Sequence, residues 1–340
     1  MRGGLGIVNV FSSMLFGGIS GSAIADISAL GSILVPVMKE KGYDADYAVN
    51  VTVTSSIAGI IIPPSHNMII FAIAAGGSIS ISKLFLAGVV PGVLMCVCLA
   101  AAAYLVAVKR GYSAEKFPGW TALMIAFLGA IPGLLTAVII VGGVLSGIFT
   151  VTESGAFGAI YAFVVTLLVY RSISFDKFKT AVVSSVRTTA MVMILIACAG
   201  AFAYMLTFYQ VPAKTVDLLT GLTDNPILIL LMINLVLLIL GMIMDMAALI
   251  LICTPIFLPV ANSLGIDPLQ FGMILLVNLG LGLCTPPVGS CLFVGCAVGK
   301  LPMEKAVKTI WPFYFAIFVA LMLITFVPAI SLTLPALIGG

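Results

Sequence analysis

The stretches Gly17-Gly18-Ile19-Ser20-Gly21-Ser22-Ala23-Ile24-Ala25-Asp26 and Ile62-Pro63-Pro64-Ser65-His66-Asn67 decide the fold, because each interrupts an apolar run long enough to cross a bilayer. The runs are 5–38 and 46–77. A spanning helix needs about 20 predominantly apolar residues. Two later runs, 226–262 and 268–298, are broken in the same way by Gly241-Met242-Ile243-Met244-Asp245 and Thr285-Pro286-Pro287-Val288-Gly289-Ser290. Breaks at membrane depth free backbone N–H and C=O groups, and these survive only where protein or a water-filled cavity satisfies them. Four such breaks in one chain predict a binding site near the bilayer midplane. Between and beyond them, uninterrupted spans are expected at 84–108, 120–145, 151–170, 187–209 and 309–335.

Composition supports a membrane protein. Of 340 residues, 62% are hydrophobic and 8% charged, against about half and about one quarter in a soluble domain. Twenty-seven charges are too few to solvate a soluble surface of this size. A soluble enzyme, a disordered regulator and a nucleic-acid binder are thereby excluded. The seven cysteines lie scattered in apolar runs and read as small packing residues. His66 is the chain's single histidine, so no transition-metal site is expected.

The breaks are related to one another. Shifted by 223 residues, Gly18 falls on Gly241, Ser22 on Asp245, Pro36-Val37 on Pro259-Val260, Asp44 on Asp267, Gly59 on Gly282 and Pro63-Pro64 on Pro286-Pro287. Only 12 of the 57 positions from 18 to 74 are identical, but the matches quoted fall mainly on structure-breaking residues. With a two-residue adjustment Pro91 meets Pro312. The basic residues then set orientation, since Lys and Arg favour the cytoplasmic side. Placing the Lys109–Lys116 loop inside leaves only Lys83 and Lys214 of the 15 Lys and Arg outside. That puts hairpin 5–38 on the cytoplasmic side and hairpin 226–262 on the opposite side. The expected fold is therefore all-α and polytopic, with inverted repeats, two re-entrant helical hairpins and two broken helices, as in secondary transporters. Its expected organisation is a first repeat at 1–110, scaffold spans with cytoplasmic interfacial helices at 111–225, and a second repeat at 226–340. Two spans precede the second copy without counterparts before the first, so roughly 75 residues of N-terminal scaffold are expected ahead of residue 1.

Each break suggests chemistry. The glycines of the first permit a tight turn. Its hydroxyls and freed carbonyls are hard oxygen donors suited to Na⁺, and the returning half-helix offers N–H groups to an anion. Asp26, about one turn further on, is a carboxylate at membrane depth, either functional or an acid at a helix N-terminus. Gly18-x-Ser20-Gly21 also matches the GxSG of intramembrane serine proteases, with His66 as the possible base. At the second break Pro63-Pro64 ends the helix, and Ser65, His66 and Asn67 open another whose N–H groups suit a carboxylate. The third break is more apolar, with Asp245 in place of Ser22. The fourth repeats the second, with Gly289 where His66 stands. Asn278 fits either the site or an interhelical hydrogen bond. Thr150-x-x-Glu153 reads as a capping box. The basic stretches 109–118 and 171–187, with Trp120, read as interfacial helices and anchor.

Met1-Arg2-Gly3-Gly4-Leu5, Leu15-Phe16-Gly17-Gly18-Ile19-Ser20-Gly21-Ser22-Ala23-x-Ala25-Asp26, Ile62-Pro63-Pro64-Ser65, Gly147-Ile148-Phe149-Thr150-x-Thr152-Glu153 and Pro286-Pro287-Val288-Gly289 together resemble the large membrane subunit of TRAP transporters. The resemblance covers the whole chain. It implies a Na⁺-driven importer of an organic anion, a carboxylate such as a dicarboxylate or sugar acid, working by an elevator motion in a bacterial or archaeal inner membrane. It implies a soluble extracytoplasmic binding protein and a small membrane subunit as partners, and no cofactor beyond the coupling ion. Carried over, Gly18, Ser20, Gly21, Ser22 and Pro63 line one Na⁺ site, and Gly241, Asp245, Thr285, Pro286 and Gly289 a second. Ser65, His66, Asn67, Val288 and Ser290 face the solute, and Asp26 stabilises a tip. His66-Asn67 departs from the commoner Ser-Ile-Pro continuation and marks a subgroup. The alternative within transport is a stand-alone Na⁺/dicarboxylate or citrate carrier. The alternative outside it is a protease using Ser20 and His66.

Overall fold

A computed structural model describes residues 2–77, 79–114, 119–223 and 225–338. All regular structure among them is helical, apart from one isolated bridge between Arg2 and Ala114. The helices are α1 (Gly4–Ser20), α2 (Ala23–Glu40), α3 (Ala45–Ser55), α4 (Ala58–Ile61), α5 (His66–Ala74) and α6 (Ile81–Lys109). Then come α7 (Trp120–Leu145), α8 (Val151–Val164, prolonged by a π turn to Val169), α9 (Phe175–Phe208) and α10 (Val211–Leu222). The last are α11 (Pro226–Gly241), α12 (Met246–Ser263), α13 (Pro268–Leu283), α14 (Ser290–Gly299), α15 (Met303–Thr309), α16 (Trp311–Phe326) and α17 (Ala329–Ile338). Among the described residues, five helices are long and apolar enough to cross a membrane, or up to seven spans if each sharply bent pair counts as one. The chain forms two compact units, residues 1–116 with 206–340, and residues 117–205.

The offset of 223 residues recurs in the element boundaries. α2 and α12 both have 18 residues, and 23 and 246 differ by 223. Their N-caps are the aligned residues Ser22 and Asp245, which accept from Ala25 N and Ala247 N. α3 and α13 likewise begin after the aligned Asp44 and Asp267. In each half a glycine of the hairpin's first helix meets a glycine of the broken helix. A Cβ on Gly17 would lie 2.0 Å from Gly59 Cα, and one on Gly282 would lie 2.6 Å from the Gly241 carbonyl carbon. The aligned Ser55 and Asn278 carry equivalent cross-helix bonds, Ser13 Oγ to Ser55 Oγ at 2.9 Å and Asn278 Nδ2 to Asn234 Oδ1 at 2.7 Å. Asn278 is therefore an interhelical hydrogen-bonder. Asn278→Ala strands the buried Asn234 carbonyl and is expected to cost ~1–3 kcal/mol. A lowered thermal midpoint of the purified protein, largely restored in the Asn234→Leu/Asn278→Leu pair, checks it.

The core of the first unit lies around α13, buried at every residue from Gln270 to Leu283. The halves are also stitched together. Asn50 of α3 donates to Ala306 O and Thr309 Oγ1 at 3.0 and 2.9 Å, and Lys39 Nζ donates to Gly299 O. At the end of α6, Arg110 forks onto Asp46 at 2.9 and 2.8 Å and reaches Asp44 at 3.0 Å. The Asp46 carboxylate holds the guanidinium pKa above its ordinary value. Burial, then the Asp44 carboxylate, pushes the Tyr112 phenol up to about 12.

Three expectations are corrected. The span 309–335 is two helices, α16 and α17, separated at Val327-Pro328, and α16 is bent by 57° from α15. Prolines at 312 and 328 have no N–H to continue a helix. The interfacial helix at 171–187 does not stand apart: from Phe175 it runs without a break into α9, whose 34 residues include the whole span from 187 to 208. No proline interrupts it. At roughly 1.5 Å per residue such a helix exceeds the ~30 Å hydrocarbon core, so its polar first turns reach the headgroups. At 109–118 the helix ends at Lys109 and the chain turns at Gly111, φ 71°; positions 115–118 lie outside the described residues. The capping box holds, with Thr150 N donating to Glu153 Oε2 at 2.8 Å and Glu153 N to Thr150 Oγ1 at 3.3 Å.

Candidate functional site

The first tip is built by backbone conformation. Gly21, φ 61°, ends α1 in the left-handed region, where a side chain is strained, and its N–H returns to Gly17 O at 2.8 Å. The chain reverses at once into α2. The Pro63-Pro64 break lies against this tip. A Cβ on Gly18 would sit 3.3 Å from Pro63 O, and one on Gly21 would sit 3.3 Å from Pro64 O and 3.5 Å from His66 Nδ1. Gly18, Gly21, Pro63 and His66 are thus brought together. Ser20 Oγ is turned back onto Ser22 O at 3.4 Å.

The second tip is tied to its own break, where Val288 N donates to Met242 O at 3.2 Å. Gly289, φ 48°, starts α14, and Gly241 lies against Gly282. Thr285 spends its hydroxyl proton on Leu281 O at 2.7 Å. Thr285 and Pro286, with Met242 of the second tip, line an apolar groove.

The two tips meet. A small cleft of about 60 Å³ is lined by Ser22 and Ala23 at the head of α2, His66 and Asn67 at the head of α5, and Asp245 and Met246 at the head of α12. Ile60 and Leu283 close its sides. Three helix N-termini therefore point their positive ends at one place. Asp245 brings one carboxylate to it, with Oδ1 already engaged as the cap of α12. Ser65, Val288 and Ser290, expected to face the solute, do not line this cleft. Ser65 is buried beneath its helix start with an unbonded hydroxyl, and Ser290 Oγ is likewise buried and unbonded. Val288 is taken up by the Met242 tie and is exposed elsewhere.

Asp26 lies in the first turn of α2 at 1% exposure. The tip's cap is Ser22, so Asp26 does not stabilise the tip by capping. Both its carboxylate oxygens are buried without a hydrogen-bond partner, although Ser13 of α1 lies beside it. Below it runs a polar seam between α1 and α3: Ser13 with Ser55, and Asn9 Nδ2 with Thr52 Oγ1 at 2.7 Å. The sequence reading missed this seam. Its signal was Asn9 and Ser13 spaced by four on an otherwise apolar helix, opposite the polar run Thr52 to Ser56.

Comparison with known proteins agrees with this architecture. The family described as "Tripartite ATP-independent periplasmic transporter, DctM component" matches residues 1–330. The C4-dicarboxylate TRAP transporter large permease protein DctM of Pseudomonas aeruginosa is 40% identical over 339 residues, covering 100% of this chain and 79% of that protein. The sialic acid TRAP transporter large permease protein SiaM of Vibrio cholerae is 37% identical over 344 residues, with 100% and 79% covered. The 2,3-diketo-L-gulonate TRAP transporter large permease protein YiaN of Escherichia coli is 36% identical over 326 residues, with 96% and 76% covered. A polytopic helical chain with broken membrane helices and a family match over nearly its full length belongs to the DctM family of TRAP transporter large permeases: it is a multi-pass inner-membrane transport protein and not an enzyme.

Proposed function

We propose that this permease imports an organic anion, driven by Na⁺, after delivery by a soluble extracytoplasmic binding protein and in complex with a small membrane subunit. The observation that carries the anion reading is the convergence of the heads of α2, α5 and α12 on one cleft. Three positive helix ends favour a carboxylate there. Ser22, His66 and Asn67 supply side-chain hydrogen bonds around it. The first Na⁺ site is assigned to the tip Gly18–Ser22 with the Pro63 carbonyl. The second is assigned to Gly241–Asp245 with Thr285–Gly289. Three relatives carry by name a C4-dicarboxylate, a sialic acid and 2,3-diketo-L-gulonate, all carboxylates, and a fourth is named for isethionate, a sulfonate. An organic anion is therefore the class in common, and a carboxylate its most frequent member here. Membership of a transporter family removes the protease reading of Ser20 and His66.

The cleft holds about 60 Å³, roughly two waters at ~30 Å³ each and far below the ~300 Å³ of a small-molecule pocket. Admitting a carboxylic acid therefore requires the two tips to part. In this reading the two hairpins, 5–38 and 226–262, and the two broken helices, 46–77 and 268–298, move as the elevator, and 111–225 belongs to the scaffold.

The test is uptake of radiolabelled organic acids into proteoliposomes containing the permease and its small subunit, with a Na⁺ gradient and purified binding protein each present or absent. Uptake that needs both is expected. Uptake with Na⁺ alone would reassign the protein to the stand-alone carriers, and uptake unaffected by Na⁺ would remove the coupling. His66→Ala is expected to lower kcat/KM about 10-fold to 100-fold, as for a lost hydrogen bond to a charged group of about 1.5–3 kcal/mol. An unchanged substrate profile and rate would place His66 outside the binding path.

A further inference from the structure

The first half of the molecule is close-packed where the second is open. α1 packs along α6, helped by Gly3 beside Ala107, and Gly88 and Gly92 of α6 admit Met68 and Ile62 from the first broken helix, with which an added Cβ would collide. In the second half α11 and α16 scarcely touch. Between them, over α13, a groove of about 520 Å³ remains. Its wall is apolar: Leu238 and Met242 on one side, Leu281 at the floor, Val307, Trp311 and Phe318 on the other. The hydroxyls that reach it are spent, Thr285 on Leu281 O and Tyr314 on Cys284 O. Among the described residues, the remaining polar side-chain group in that wall is the indole N–H of Trp311. Trp311 and Phe315 are nevertheless 65% and 69% exposed.

We propose that this groove binds one acyl chain of an anionic phospholipid, with the headgroup on Lys305 and Lys308. A flexible hydrocarbon chain fits, and each buried CH₂ contributes about 0.8 kcal/mol. The charge pattern selects the headgroup. Lys305 and Lys308 are exposed, share a face of α15, and stand within one turn of the groove residue Val307. Lys300 adds a third positive charge and Glu304 offsets one. Trp311, at the same end, is an interfacial residue by chemistry. The other end of the groove touches Met242 and Pro286, so the tail lies against the tie between the second tip and the second break. Bilayer composition would thereby act on that tip without entering the solute cleft.

The experiment reconstitutes the full chain into nanodiscs of equal parts phosphatidylglycerol and phosphatidylcholine of the same chain length, then reads retained lipid by native mass spectrometry. The wild type is expected to retain phosphatidylglycerol selectively. Val307→Trp, which fills the groove, is expected to lower that retention about tenfold, the loss of roughly two CH₂ contacts. Lys305→Ala with Lys308→Ala is expected to equalise the two lipids. Undiminished phosphatidylglycerol retention in folded Val307→Trp overturns the proposal, as does equal retention of both lipids by the wild type. Should Val307→Trp fail to fold, a phosphatidylglycerol carrying a photoreactive acyl chain is used on the wild type. Labelling of Met242, Leu281 or Phe318 is expected, and labelling confined to other segments overturns it.

Discussion

Gly17→Ala is expected to destroy the first hairpin's packing, leaving a protein that is unstable in detergent and depleted from the membrane. The added methyl would stand 2.0 Å from Gly59 Cα and 3.0 Å from Gly59 N. These are backbone atoms and cannot rotate away, so two helices must separate. Moving them apart forfeits the contacts that α1 makes with α4 and also loosens the Ser13–Ser55 bond. Overpacking of a rigid core costs typically 1–3 kcal/mol and more where backbone must shift; here ~3 kcal/mol or more is expected. Gly282→Ala acts in the same way in the second half, at 2.6 Å from the Gly241 carbonyl carbon. Gly200→Ala is the control, since a Cβ there meets nothing within 4 Å. Membrane abundance and thermal midpoint of the three variants decide the matter. A Gly17→Ala protein as stable as the Gly200→Ala protein would mean that the close approach of α1 and α4 is not a feature of the molecule in the membrane.

Asp26→Asn is expected to separate transport from stability. A carboxylate buried at 1% exposure beside Ser13, in no ion pair among the described residues, is costly, several kcal/mol for an ionised group without a counter-charge. A cation bound beside it during the transport cycle would offset that cost, and asparagine, of the same shape, cannot supply the charge. Losing one partner of a buried ion pair costs about 3–5 kcal/mol. Na⁺-driven uptake should therefore fall more than about a hundredfold. In Na⁺-free buffer the variant should be as stable as the wild type or more so, because the uncompensated charge is gone. The competing account makes Asp26 an ordinary acid in a helix's first turn, worth about 0.3–1 kcal/mol through the helix dipole. It expects a slightly less stable protein with full uptake. Uptake against Na⁺ concentration, with thermal midpoints measured with and without Na⁺, distinguishes the two.

The helix starts were legible because their causes are local. Thr150 with Glu153 forms the capping box as read, while Ser22, Asp245 and Asp267, read only as repeat partners or ion ligands, turn out to cap the helices that follow them. Gly21 and the Pro-Pro pairs stop helices for reasons contained in one or two residues. Errors arose where a local signal was underweighted or overweighted. Pro328 divides what hydropathy alone joins into one span. The Ser, Thr, Lys and Arg between 175 and 188 look like a separate interfacial element, yet they continue the helix, since polarity alone does not end one.

Residue order alone was enough for the membrane class, the four breaks, their pairing at 223 residues and the family resemblance, because hydropathy, glycine, proline and caps act within a few positions of chain. It did not reveal that Ser22, His66, Asn67 and Asp245 share one cleft while Ser65, Val288 and Ser290 lie outside it. Nor did it reveal that Gly17 touches Gly59, that Asp26 is buried beside Ser13 without a counter-charge, or that α11 and α16 stand apart. Those facts depend on how helices distant in sequence approach one another, and that approach follows from the packing of whole faces rather than from any single residue's preference.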